Sequence, residues 1–238
     1  LENSGWHIRH IENDFTASAR GALIAGQDKA ICLYKPVTEQ LPENDTALVI
    51  GVGTGLGLAY AGHGSNDRVI VRPTFGGHMP PPRCGESDCT ELAETALSLC
   101  DDDRAPVIED LVSGPGLQQL IRAAGIQRGS DPGEVTLATP AIVPPDYLAP
   151  ALHTFHTLLG LFINPAAQFG HAFGGVYLGG GIIGLLRENN LLDIATIRHN
   201  LCRDSVQVIQ ERLDAMPVYG IDDPMISFTG LKACLGDE

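Results

Sequence analysis

Hydrophobic and polar positions fall into short blocks along this chain, and each block predicts an element. "TASARGALIAG" (residues 16–26) sets Ala, Leu and Ile at helical spacing, and "HIRHIENDF" before it closes a short extended segment. "TALVIGVG" is an apolar run of strand length that ends in glycines, "LGLAYAG" is extended again, "HGSND" is a polar turn, and "RVIVRP" is a third strand. Strand, glycine turn, strand, polar turn, strand predicts an antiparallel meander. A dinucleotide-binding unit would instead pass straight from its first strand into a helix.

The pattern then turns helical, with "TELAETALSLC", "VIEDLV" and "GLQQLIRAAG". A Pro-rich loop, "LATPAIVPPDYLAP", leads into the apolar helix "ALHTFHTLLGLFI". "GGVYLGGG" reads as a short buried strand and "IIGLLRENN" as the helix after it. One long amphipathic helix is expected from about Ile194 to Met216, then a strand "PVYGI" and a final helix "ISFTGLKACL". No internal repeat is visible. A meander followed by α/β units is the order of an RNase-H-like fold: a mixed sheet with helices on its faces, in the α/β class.

Composition narrows the partners. The formal charge of −14 repels nucleic-acid backbones and anionic lipid surfaces, so neither nucleic acid nor membrane is expected as a partner. With no bilayer-length apolar run and no secretory signal, the chain reads as cytoplasmic. Its six scattered cysteines read as reduced in a chain large enough to hold a core without staples.

Candidate chemistry concentrates at glycines. Gly51, Gly53, Gly55 and Gly57 alternate through the first turn. A dinucleotide fingerprint would need its third glycine at Leu56 or Leu58, and a P-loop would need a lysine that the stretch lacks. Two readings remain. Residues with positive φ could point consecutive N–H groups inward as an anion nest, with the Thr54 hydroxyl as a further donor. Equally, the turn could be a tight hairpin that binds nothing. "GGVYLGGG" offers a second such place, for a flat ring or ribose against backbone or for close helix–strand packing. Asn13 and Asp14 stand where a helix begins, and capping by Asp14 or Thr16 is the plain account. His78 follows two glycines and Glu109 precedes a glycine turn; taken singly, one reads as structural and the other as solvated. His78, Cys84 and Cys89 give three zinc-type ligands without a C-x-x-C pair, so no metal site is expected.

Taken in order, "ENDFTA", "GVGTGLG", "GGH", "E-x-x-x-SGPGL" and "GGVYLGGGI" resemble the bacterial glucokinase family, from about Trp6 to the C-terminus. That family shares with hexokinase and actin a two-domain fold whose cleft holds ATP. The resemblance implies an ATP-dependent hexose kinase that transfers the γ-phosphate to the 6-hydroxyl of glucose or a similar hexose. Asp14 matches the general base. Asn13, Asp14, His78 and Glu109 match the residues that bind the sugar. Gly53, Thr54, Gly55 and Gly57 match the second phosphate loop, and Gly180 and Gly181 the adenosine-binding glycines. The resemblance also implies Mg²⁺ with the ATP and a homodimer. It divides the chain into a large domain over residues 25–224 and a remnant of the small domain over residues 1–24 and 225–238.

Two departures stand out. The family carries a glutamate immediately before "GGH" that contacts the sugar, and Phe75 stands there instead. The family's first phosphate loop, D-x-G-G-T-N, has no counterpart in "LENSGWHIRHIE". These differences support an alternative expectation: a catalytically impaired relative that binds sugar or nucleotide as a binding or regulatory protein. The repressor/kinase (ROK) proteins resemble this chain in fold, but "RCGESDCTE" only faintly echoes their cysteine-rich zinc motif.

Overall fold

The structure, a computed structural model, describes residues 12–36, 46–64, 68–100, 103–133, 137, 140–203 and 206–235. The extended segment expected before Glu12, the tip of the "HGSND" turn and part of the Pro-rich loop lie outside these residues. Strands β1 (Ile31–Tyr34), β2 (Ala47–Val52), β3 (Leu56–His63), β4 (Val69–Pro73), β5 (Val176–Gly179) and β6 (Val218–Gly220) form one sheet. Their spatial order is β1-β6-β5-β2-β3-β4. The meander β2-β3-β4 is antiparallel, β5 joins β2 in parallel, and β6 joins β5 in parallel. This is the RNase-H-like mixed sheet that the sequence pattern predicts, with β1 added antiparallel to β6 at the edge.

Eight helices complete the described chain: α1 (Asp14–Lys29), α2 (Ser87–Ser98), α3 (Gly114–Gln127), α4 (Pro145–Phe169), α5 (Gly181–Glu188), α6 (Ile194–Leu201), α7 (Gln207–Asp214) and α8 (Ile226–Leu235). Because side chains alternate along a strand, β2 feeds two cores. Leu48, Ile50 and Val52 join Leu178, Phe155, Leu117 and Ile197 in the larger cluster under α2 to α7. Ala47 and Val49 join Ala59, Ala61, Tyr177 and Tyr219 beneath α1 and α8. On that face α1 and α8 also pack closely against each other. Gly21 lies against the Ile226 carbonyl and Gly230 against the Ala17 carbonyl, positions where a Cβ would collide with backbone.

Several local expectations change. The single helix expected from Ile194 to Met216 is two helices, α6 and α7. Arg198 of α6 is buried and donates to the carbonyls of Leu213, Asp214 and Met216, which holds the end of α7 back against α6. "VIEDLV" forms only a 3₁₀ turn, Ile108–Asp110, closed by the Asp110 carboxylate accepting from the Val107 N–H at 2.9 Å. α4 begins at Pro145, inside the expected loop, and continues past Pro150 and Pro165. Thirteen buried residues on this helix outweigh the two backbone bonds that its prolines cannot make. β1 had no clear signal, because its four residues owe their extension to pairing with β6. Cys84 and Cys89 are joined by a disulfide with Cα atoms 5.9 Å apart, which corrects the expectation that all six cysteines are reduced.

Candidate active site

The glycine turn after β2 is not a positive-φ nest. None of Gly51, Gly53, Gly55 or Gly57 lies in the left-handed region; among the described residues only Gly26, Gly129, Gly133, Gly175 and Gly180 do, besides His171 and Asn190. The glycines are explained by what approaches them. Gly51 and Gly57 are cross-strand partners, and the Phe15 ring lies flat over the pair. A Cβ on Gly51 would sit 2.5 Å from the Phe15 ring, and one on Gly57 at 3.1 Å. Gly55 makes room for Glu109, whose carboxylate would be 2.7 Å from a Cβ there. Only Gly53 faces open space.

Glu109 therefore does more than the solvated reading allowed. Its Oε2 accepts from the Leu56 N–H at 2.7 Å, tying the 3₁₀ turn to the start of β3. The neighbouring Asp110 is gripped by Arg104 through two bonds of 2.5 and 3.0 Å. Burial pulls the Asp110 carboxyl upward, but the Arg104 guanidinium and the Val107 N–H outweigh it and hold it below the usual range. At the other side of the turn, the Gly114 N–H at the head of α3 donates to the Gly53 carbonyl at 2.7 Å. Ser113 caps that helix by accepting from the Gly116 N–H.

His78 is delivered to the same place by a second 3₁₀ turn, Gly76–His78. Gly77 packs on the Leu56 carbonyl, so one residue, Leu56, meets Glu109 through its N–H and the His78 turn through its C=O. Thr74 pins the turn to β3 by donating to the Leu58 carbonyl at 2.9 Å and accepting from the Gly76 N–H at 3.0 Å. The His78 side chain is exposed, and the ring of Phe75 stands 6.1 Å from it.

Asn13, rather than Asp14 or Thr16, caps α1: its Oδ1 accepts from the N–H groups of Phe15 at 3.0 Å and Thr16 at 3.3 Å. Asp14 is the exposed first residue of the helix, and Phe15, seated on Gly51 and Gly57, fixes where it stands. Gly180 meets the end of β2 from the other direction. It has φ +93°, and a Cβ there would collide with the Val52 backbone, so only glycine serves. Gly181 opens α5, whose first-turn N–H groups have no intrahelical acceptor, and its Cβ position is open.

All the expected site residues thus gather about one hairpin, at the carboxyl ends of the parallel strands β2 and β5. An open cleft of about 490 Å³ lies beside it, bordered by Phe15, Ser18, Gly51, Gly180 and Gly181. Its far wall carries Glu188, Asp222 and Asp223, which sequence reasoning missed. Nothing in their local pattern marks them; Asp222 and Asp223 reach the cleft because β6 lies beside β5, and Glu188 because it ends α5, which begins at Gly181. Arg187 pairs with Asp222 at 2.5 Å on this wall. Among the described residues no group of three or more His, Cys, Asp or Glu side chains is arranged to hold a metal ion. None of the described helices is long and apolar enough to cross a membrane.

The family model "Glucokinase" matches residues 3–238. The glucokinase of Psychromonas ingrahamii is 29% identical over 242 residues, covering 98% of this chain and 70% of that protein. The glucokinase of Chromohalobacter salexigens is 33% identical over 189 residues, covering 76% of this chain and 56% of that protein. In three dimensions, the crystal structure of a glucokinase from an Antarctic psychrotroph superposes with a TM-score of 0.77 at 23% identity, covering 95% of this chain and 68% of that one. The chain thus spans from 56% to 70% of the length of these curated relatives, and by the family match over nearly all of its own length it belongs to the glucokinase family.

Proposed function

We propose that this chain carries the sugar and nucleotide sites of an ATP-dependent hexose kinase, which transfers the γ-phosphate of ATP to the 6-hydroxyl of glucose or a similar hexose. The observation that carries the reading is the convergence on Leu56 and its hairpin: Glu109 on the N–H, the His78 turn on the C=O, and Phe15, the residue after Asp14, on Gly51 and Gly57. An exposed carboxylate at Asp14 suits a general base, since phosphoryl transfer depends chiefly on position and charge stabilisation. Asn13, His78 and Glu109 offer the amide, imidazole and carboxylate groups that recognise sugar hydroxyls. Among the described residues, the backbone N–H groups of Thr54 and Gly55 have no protein acceptor, and they would face phosphate together with the Thr54 hydroxyl. Adenosine would lie by Gly180 and Gly181, where the carboxylates of the far wall suit ribose hydroxyls better than bare phosphate. Mg²⁺ would be held mostly by phosphate oxygens and water, with at most one or two carboxylates from the chain. Within this reading, residues 1–24 and 225–238 belong to the small lobe of a cytoplasmic enzyme that acts as a homodimer.

The test is incubation of the chain with Mg-ATP and glucose, with glucose 6-phosphate read by mass spectrometry. Product that disappears in Asp14→Asn with the fold intact is the expected result, and product that persists in that variant removes Asp14 as the base. Phe75 favours a second reading, a sugar- or nucleotide-binding relative without turnover. Under it, ligands would raise the melting temperature while no phosphorylated sugar accumulates.

A further inference from the structure

Resting on the reading of Asn13, Asp14, His78 and Glu109 as a sugar site, we propose that the Phe75 ring is the platform on which the sugar stacks, and that it selects ring-closed hexopyranoses presenting a C–H face. Phe75 is 86% exposed. A single exposed apolar residue is ordinary; an aromatic residue on a backbone turn anchored beside the polar groups of a site is not. The turn that carries it is fixed on both sides. The Thr74 N–H donates to the Leu58 carbonyl at 3.0 Å, the His78 N–H donates to the Phe75 carbonyl at 2.9 Å, and the Met79 N–H donates to the Gly76 carbonyl at 3.1 Å. Gly76 and Gly77 lie directly on Leu58 and Leu56, so the backbone of the turn is seated against β3.

Phe75 and His78 stand side by side on this anchored turn, ring centroids 6.1 Å apart and planes inclined at 41°. The ring offers an apolar face with no hydrogen-bonding group, and the imidazole beside it offers one. A pyranose matches that pairing, with axial C–H groups on its faces and hydroxyls around its rim. An acyclic polyol carries the same hydroxyls but has no flat C–H face to present. In this assignment Phe75 contributes contact area and orientation, and His78 and Glu109 contribute polar recognition.

The experiment compares the full chain with Phe75→Ala, Phe75→Tyr and His78→Ala, titrating glucose and sorbitol by calorimetry and by proton NMR. Phe75→Ala is expected to weaken glucose binding roughly 3- to 10-fold and to abolish the upfield ring-current shift of the sugar C–H protons. Phe75→Tyr is expected to restore both, and sorbitol to bind no better to the unaltered chain than to Phe75→Ala. Because the side chain is exposed, all variants should melt alike, which separates stacking from folding. Unchanged affinity and unchanged proton shifts in Phe75→Ala, with binding still lowered by His78→Ala, would overturn the platform and leave the sugar site standing. Absence of glucose binding to the unaltered chain would overturn both.

Discussion

Gly51→Ala should damage the site through Phe15. The added Cβ would lie 2.5 Å from Cε2 and 3.0 Å from Cδ2 of Phe15, where carbon atoms settle at about 3.5–4.0 Å. The ring, or the start of α1 with it, must move by about 1 Å. Overpacking of this kind costs about 1–3 kcal/mol, which for a chain of this size lowers Tm by roughly 2–12 °C. Asp14 immediately precedes Phe15, so the displacement reaches the proposed base, and a misplacement of about 1 Å can cost on the order of 100-fold in rate. Thermal melts and the hexose kinase kcat/KM give the two readings. Phe15→Leu should partly relieve the clash when combined with Gly51→Ala, so the double variant should lose less than the sum of the two single losses. Strict additivity, or full activity and unchanged Tm in Gly51→Ala alone, would show that the ring does not fix Asp14.

Two further changes test how the scaffold is held. Arg198→Met keeps the apolar stem but strips three carbonyl acceptors at the end of α7 of their charged donor, and removes the guanidinium 4.2 Å from the Tyr34 ring. A loss of about 2–4 kcal/mol in denaturant melts is expected, and a loss below about 0.5 kcal/mol would mean that α7 is held by packing alone. His156 is buried, and burial, reinforced by nearby His153, pushes its pKa down to about 4 from the ordinary 6.5, while Asp193 pulls the other way. Its folded pKa is depressed, so the unfolded chain binds the proton more readily. The stability it contributes is complete above about pH 6.5 and is lost as the pH falls towards 4, a change of about 3 kcal/mol. Melts at stepped pH should flatten over that window in His156→Leu, and an unchanged slope would locate the effect elsewhere.

Much of the architecture could be read directly, because local periodicity encodes strands and helices wherever one face is buried. The meander of β2 to β4 and the strand–helix step at Gly180 stand where the pattern of "TALVIGVG", "RVIVRP" and "GGVYLGGG" puts them. Order of motifs along the chain was enough to bring out the family. Errors came where a segment takes its shape from a distant partner. β1 extends because β6 lies beside it, α6 and α7 separate because Arg198 reaches back to carbonyls 15 to 18 residues away, and α4 persists through Pro150 because its face is buried.

The glycines show the division most clearly. Alternating glycines at 51 to 57 announce, from sequence alone, that something comes close to this backbone, since the missing side chains serve no packing of their own. What comes close was decided only by tertiary structure: a phenylalanine from α1 on Gly51 and Gly57, and at Gly55 the carboxylate of Glu109, which bonds to Leu56 from 53 residues away. A sequence can record that a Cβ is forbidden, because that constraint acts on one residue. The identity of the neighbour that forbids it depends on strand order and helix placement, which exist only once the whole sheet has formed.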